Sequence, residues 1–117
     1  MIGSGIGSFT SNTEEKVYLL YVNPGFVSVT SRPGSVTSGL VTASAVNGVG
    51  PYRYEWKISN SDISISSPDS ESTRFSTSGG FGVKKATATV SSFDTGDSDR
   101  EKTASIAIEF IFENIGQ

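Results

Sequence analysis

The stretch GVGPYRYEWKIS, residues 48–59, is a Gly/Pro turn followed by a strict alternation. Tyr52, Tyr54, Trp56 and Ile58 take one set of alternate positions, and Arg53, Glu55, Lys57 and Ser59 take the other. Successive side chains of a strand point to opposite faces, so the pattern predicts a β-strand with one aromatic face. Such a row is either a stacking platform open to solvent or the inner wall of a sheet. A second row decides between them. Ile106, Ile108, Phe110 and Phe112 alternate in the same way near the other end of the chain, with Ala107, Glu109, Ile111 and Glu113 between them. Ala86, Ala88 and Val90 form a third row, of small residues that make room for an indole at interior packing density. Together these rows predict a core of Trp56, Tyr54, Ile58, Ala88, Val90, Ile106, Ile108 and Phe110, with Tyr52, next to the turn, reaching solvent.

Working outward, short strand-like runs recur between turn residues: VYLLYV (17–22), FVSVTS (26–31), GLVTASAV (39–46), ISIS (63–66), STRFSTS (72–78), KATATVSSF (85–93) and KTASIAIEFIFE (102–113). Asn23-Pro24-Gly25, Arg32-Pro33-Gly34, Asn47-Gly48 and Gly79-Gly80 punctuate them, residues that supply the fixed or positive φ angles of turns. No segment has a useful helical period. The expected fold is all-β, an antiparallel β-sandwich of seven to eight strands. The Gly/Ser-rich residues 1–16 hold too little apolar surface to offset the entropy of ordering them, and read as a flexible N-terminal arm before a single domain over 17–117.

Composition narrows the function. Nine Lys and Arg against twelve Asp and Glu give a net charge of −3, which argues against a nucleic-acid partner bound by phosphate neutralisation. The chain has no Cys and no His, so thiol nucleophiles, disulfides and the commonest general base and metal ligand are absent from it. No run approaches the ~20 apolar residues of a membrane helix, and residues 1–16 lack the basic and apolar regions of a secretory signal. If Met1 is the natural start, synthesis in the cytoplasm without export is the expectation.

The turn into Tyr-x-Tyr-x-Trp (52–56), then ISISSP (63–68), Ser-Thr-x-Phe (72–75) and ATATVS (86–91), resembles bacterial immunoglobulin-like domains of the PKD-like kind. Such modules are frequent in tailed-bacteriophage virions, as tail or capsid-decoration proteins, and on bacterial surface proteins. The resemblance spans roughly residues 26–113. It implies that Trp56 is the core tryptophan of the third strand. It also implies a non-enzymatic structural protein of a bacteriophage virion without cofactors, made in the host cytoplasm. Protein–protein interaction with other virion proteins, or with itself through residues 1–22 and the C-terminal strand, would be its mode of action. The alternative is a module that binds carbohydrate, host-surface glycans among them, on a bacterial surface or secreted protein. The family's cysteine pair and the Asp-Gly-rich turn after the tryptophan are both missing, the latter replaced by Lys57-Ile58-Ser59-Asn60.

Three groups of residues are candidates for a site. Asp94, Asp97 and Asp99 fall within the six residues of DTGDSD, and clustered carboxylates are what calcium requires, yet their spacing misses the D-x-D-x-D-G pattern and a solvated turn accounts for them. Glu55, Glu109 and Glu113 fall on outward faces with nothing to tune their acidity, so no catalytic residue is expected. Tyr18, Leu20, Val22 and Phe81 are candidate docking residues: 17–22 is apolar on both faces, so it must be covered on both, and Phe81 sits among glycines, where it either plugs the end of the sandwich or anchors a partner.

Overall fold

The computed structural model describes residues 17–114; the arm expected over 1–16 lies outside the described residues. Ten strand segments and no helix make up the regular structure of those residues: β1 Leu19–Asn23, β2 Phe26–Ser31, β3 Gly34–Thr37, β4 Val41–Val46, β5 Tyr52–Ile58, β6 Ser64–Ile65, β7 Ser72–Thr73, β8 Phe75–Gly79, β9 Gly82–Asp94 and β10 Arg100–Phe112. They form a four-stranded sheet in the order β2-β10-β9-β5, a three-stranded sheet β1-β4-β7 and a small sheet β3-β8-β6. All pairings are antiparallel except β2 with β10, which is parallel. The fold is all-β and sandwich-like.

The β9–β10 hairpin is the spine. Its thirteen residue pairs run from Gly82 opposite Phe112 to Asp94 opposite Arg100, about 44 Å at the rise of a strand. Alternation decides its faces: Ala88, Val90, Ile106, Ile108, Phe110 and Phe112 are buried, whereas Thr87, Lys85, Ser105 and Ala107 are exposed.

The opening stretch lands where its alternation puts it. Trp56 is buried and lies beside Val90 in the sheet. Across the core its ring meets Phe75 edge-on, 5.9 Å between centroids at 74°, a favoured aromatic geometry. The indole Nε1–H donates to the Ser70 carbonyl at 2.7 Å, so the one polar atom of the ring is satisfied. Val41 and Ala43 of β4 complete the same cluster, with Tyr54 and Ile58 partly buried against it.

The strand β3 lies outside every expected run, the β2–β10 pair is parallel where an antiparallel sandwich was expected, and two further parts of the strand pattern differ from expectation. The run 72–78 divides at Arg74: Ser72 and Thr73 join β4, while Phe75–Gly79 joins β3 and β6. Hydroxyls take over ladder bonds at the break, since Thr73 Oγ1 accepts the Ser67 N–H at 2.9 Å and Ser38 Oγ accepts the Phe75 N–H at 3.0 Å. Such side-chain bonds compete with regular pairing. The second difference is that 17–22 is covered on one face only. Tyr18 is buried and Leu20 and Val22 pack on the core, but Val17, Leu19 and Tyr21 stay exposed.

Candidate functional site

The most organised polar cluster lies at one end of the sandwich, where β9 ends and β5 begins. Asp94 is shut off from solvent, and its two carboxylate oxygens are committed to backbone amides: Oδ2 accepts the Val49 N–H and Oδ1 the Gly50 N–H, both at 2.8 Å. Removal from water pushes this carboxyl up. The amides of Val49, Gly50 and Gly96 and the charge of Arg100 push it down and prevail, leaving it below its ordinary value. The Tyr52 hydroxyl accepts the Gly48 N–H at 2.7 Å, and Thr95 donates through both its amide and its hydroxyl to the Pro51 carbonyl. Asn47, at φ 68°, takes the left-handed conformation that asparagine tolerates and hands its side-chain amide to the Val17 carbonyl.

Tyr18, the residue just before β1, joins this cluster. Its hydroxyl lies 3.0 Å from the Ser92 carbonyl and 2.8 Å from Ser92 Oγ, and its ring stacks on Tyr52 at 5.8 Å. The Arg100 guanidinium stands 5.0 Å over the same ring. Every polar group named here is turned toward another group of the chain, so the cluster can fix two loops. A carboxylate whose two oxygens already accept amides is poorly placed to ligate a cation or move a proton.

The three aspartates do not converge. Asp97 pairs with Arg100 at 3.4 Å instead of facing Asp94, and among the described residues no three acidic groups are placed to hold a metal ion. Glu55 and Glu109 stand on the outer face of the four-stranded sheet, Glu109 accepting from Ser28 Oγ at 3.3 Å.

The candidate docking residues divide. Tyr18 is 2% exposed, and the one-face burial of β1 turns Leu20 and Val22 inward as well. The outward residues here are Val17, two residues before the strand, and Leu19 and Tyr21 of β1, at 56%, 37% and 55%. Period-two alternation contained this signal, but a run apolar on both faces does not say which set faces the core. Phe81 is 66% exposed and does not plug the sandwich. It sits in the two-residue link between Gly79 and Gly82, where the chain passes from one sheet to another.

No family model, curated protein or solved structure matches this chain. The surface of the molecule therefore carries the functional argument. A shallow groove of about 480 Å³ lies on the outer face of the four-stranded sheet, with Phe26, Ser59, Lys85, Thr87, Ala107 and Glu109 in its lining. The groove exists because β5 stops at Ile58 while β9 continues back to Gly82, and because Ala107, between Thr87 and Phe26 in register, has almost no side chain. Sequence reasoning missed Phe26, which opens its strand as an isolated aromatic.

Proposed function

We propose that this chain is a non-enzymatic structural or accessory protein of a bacteriophage virion, a capsid-decoration or tail-associated immunoglobulin-like subunit that acts by docking. The observation that carries the reading is the outward apolar row of β1, exposed directly after the sixteen residues that precede Val17. A row of this kind at the edge of a sheet marks an interaction surface.

The immunoglobulin-like part of the reading draws support from the pairing pattern. With β1, β4, β5, β7, β9 and β10 as strands A, B, C, E, F and G, the neighbours A–B, B–E, C–F and F–G of that fold all occur. The segment ahead of β4 divides between the sheets, β1 joining one and β2 the other.

Two measurements test it. Mass spectrometry of purified virions should find the chain, and its absence there overturns the assignment. A chain lacking residues 1–16 should melt within a few degrees of the full chain yet fail to co-sediment with virion proteins; retained co-sedimentation sinks the docking role of that end.

A second reading rests on the groove beside Phe26, where an exposed phenyl ring lies near a Lys, a Glu and a Thr hydroxyl. An aromatic face flanked by hydrogen-bonding groups suits a sugar ring. Glycan-array binding that disappears in Phe26→Ala would favour a carbohydrate-binding module instead.

A further inference from the structure

We propose that Asn47-Gly48 is a conformationally gated deamidation site, and that its conversion to an aspartyl or isoaspartyl residue unpins the start of β1. The inference goes beyond the docking reading and does not depend on it.

Sequence and fold together place a labile pair here. Of the chain's five asparagines, Asn47 is the one followed by glycine; Asn23 precedes proline, which has no N–H, and Asn12, Asn60 and Asn114 precede Thr, Ser and Ile. Ring closure onto an asparagine side chain is least hindered where the next residue has no Cβ. The turn leaves little choice of residues. Position 47 stands at φ 68°, a conformation that asparagine tolerates better than most residues with a side chain. At position 48 a Cβ would run into Asp94 Oδ2 and lie 2.8 Å from the Tyr52 hydroxyl oxygen, so glycine is required.

The reaction needs only water. The Gly48 backbone nitrogen gives up its proton to solvent and attacks Asn47 Cγ, forming a C–N bond that closes a succinimide ring. The Cγ–Nδ2 bond breaks and the amide nitrogen leaves as ammonia. Water then opens the ring at either carbonyl, leaving an aspartate at 47 or a main chain that runs through the former side-chain carbon.

In the folded chain both reacting groups are engaged. The Gly48 N–H donates to the Tyr52 hydroxyl at 2.7 Å, so losing that proton also costs the hydrogen bond. Asn47 Nδ2 donates to the Val17 carbonyl at 3.1 Å, which holds the side chain toward the incoming strand. Val49 and Gly50 are fastened to Asp94, so Gly48 does not swing toward Asn47 Cγ by itself. Attack awaits local opening of the turn. Asn47 is exposed, so water reaches the ring once it has formed.

The product acts on β1. Regular pairing of β1 with β4 ends at Leu19 opposite Val46, and the Asn47 amide carries it one bond further, to Val17. A carboxylate at 47 has no proton to donate and sets its negative charge against that carbonyl oxygen. An isoaspartyl linkage also lengthens the main chain ahead of Gly48 and shifts Val49 and Gly50 from the Asp94 oxygens that hold them. Since ammonia departs, the change runs one way.

The test incubates the full chain, folded and in urea, in one mildly alkaline buffer, and follows residue 47 by peptide mass spectrometry for the exchange of NH₂ for OH. A turn that opens at a cost of at least ~1.4 kcal/mol should convert at least about tenfold more slowly than the unfolded chain. Tyr52→Phe, which removes the acceptor of the Gly48 N–H, should convert faster than wild type when folded and at the same rate in urea. Hydrogen exchange should then be faster in β1 of Asn47→Asp than in wild type, with β9 and β10 unchanged; aged wild type separated by charge gives the same reading if that variant does not fold. Equal rates for folded and unfolded wild type, no conversion at 47 in urea, a Tyr52→Phe chain as protected as wild type, or unaltered exchange in β1 overturns the gated site.

Discussion

Asp94 Oδ1 accepts the backbone N–H of Gly50 at 2.8 Å, tying the last residue of β9 to the turn that launches β5. Its other oxygen holds Val49, so one buried carboxylate sets the path of the whole 47–51 turn.

Asp94→Asn keeps the shape but sets an NH₂ donor against a backbone N–H, and the variant should melt at a lower temperature at neutral pH. The pH dependence has a definite sign. The carboxyl is held below its ordinary 3.8 in the folded chain, so its stabilisation is complete well above that value and is lost as pH falls through the lower folded value. Thermal melts from about pH 5 down to about pH 2.5 should therefore show a steeper loss of stability for wild type than for Asp94→Asn. Equal slopes would mean that Asp94 is not a source of the acid sensitivity.

Trp56→Ala removes the ring that meets Phe75 and should cost ~3–5 kcal/mol in urea unfolding. Trp56→Phe keeps most of the volume and leaves the Ser70 carbonyl without its donor; about 1–3 kcal/mol is expected. A Trp56→Ala protein that stays as stable as wild type and loses only binding would return the aromatic row to the role of a site.

Gly96 and Gly80 should respond oppositely to alanine. A Cβ on Gly96 would run into the Gly50 carbonyl and the Val49 side chain, whereas one on Gly80 has nothing within 4 Å. Gly96→Ala should cost ~1–3 kcal/mol, and Gly80→Ala should be neutral within about 0.5 kcal/mol. Comparing the two denaturation midpoints checks this.

Tyr18→Phe deletes a buried hydroxyl bonded to Ser92 and leaves the Ser92 side chain short of a partner. A loss of about 1–3 kcal/mol is expected, measured by chemical denaturation, with ring stacking on Tyr52 retained.

The sandwich-like all-β character was legible because alternation is a strong local signal: Trp56, Ala88, Val90, Ile106, Ile108 and Phe110 are all buried as the rows imply. Where both sets of positions are apolar, as in 17–22, the pattern cannot choose a face; the hydroxyl partner on Ser92 gives Tyr18 an inward seat. The break at Arg74 was equally hidden, because it depends on Ser38 and Ser67, which lie far from it in sequence or outside the strand runs. Asp94 looked like one of three equivalent acids. Only its place at the end of β9, opposite Tyr52 in register, sets it apart from Asp97 and Asp99.

The chain comes into the sandwich at Tyr18, beside Ser92, and leaves it at Phe112, beside Gly82. Those points are about 34 Å apart along β9 at the rise of a strand. A pull applied across these two ends would run parallel to the strands. It would drag β2 and β10, which are parallel over six residue pairs, past each other lengthwise, so that their hydrogen bonds bear the load together and do not open one at a time like a zip. Tethered in line between two attachments, the domain is oriented to resist tension.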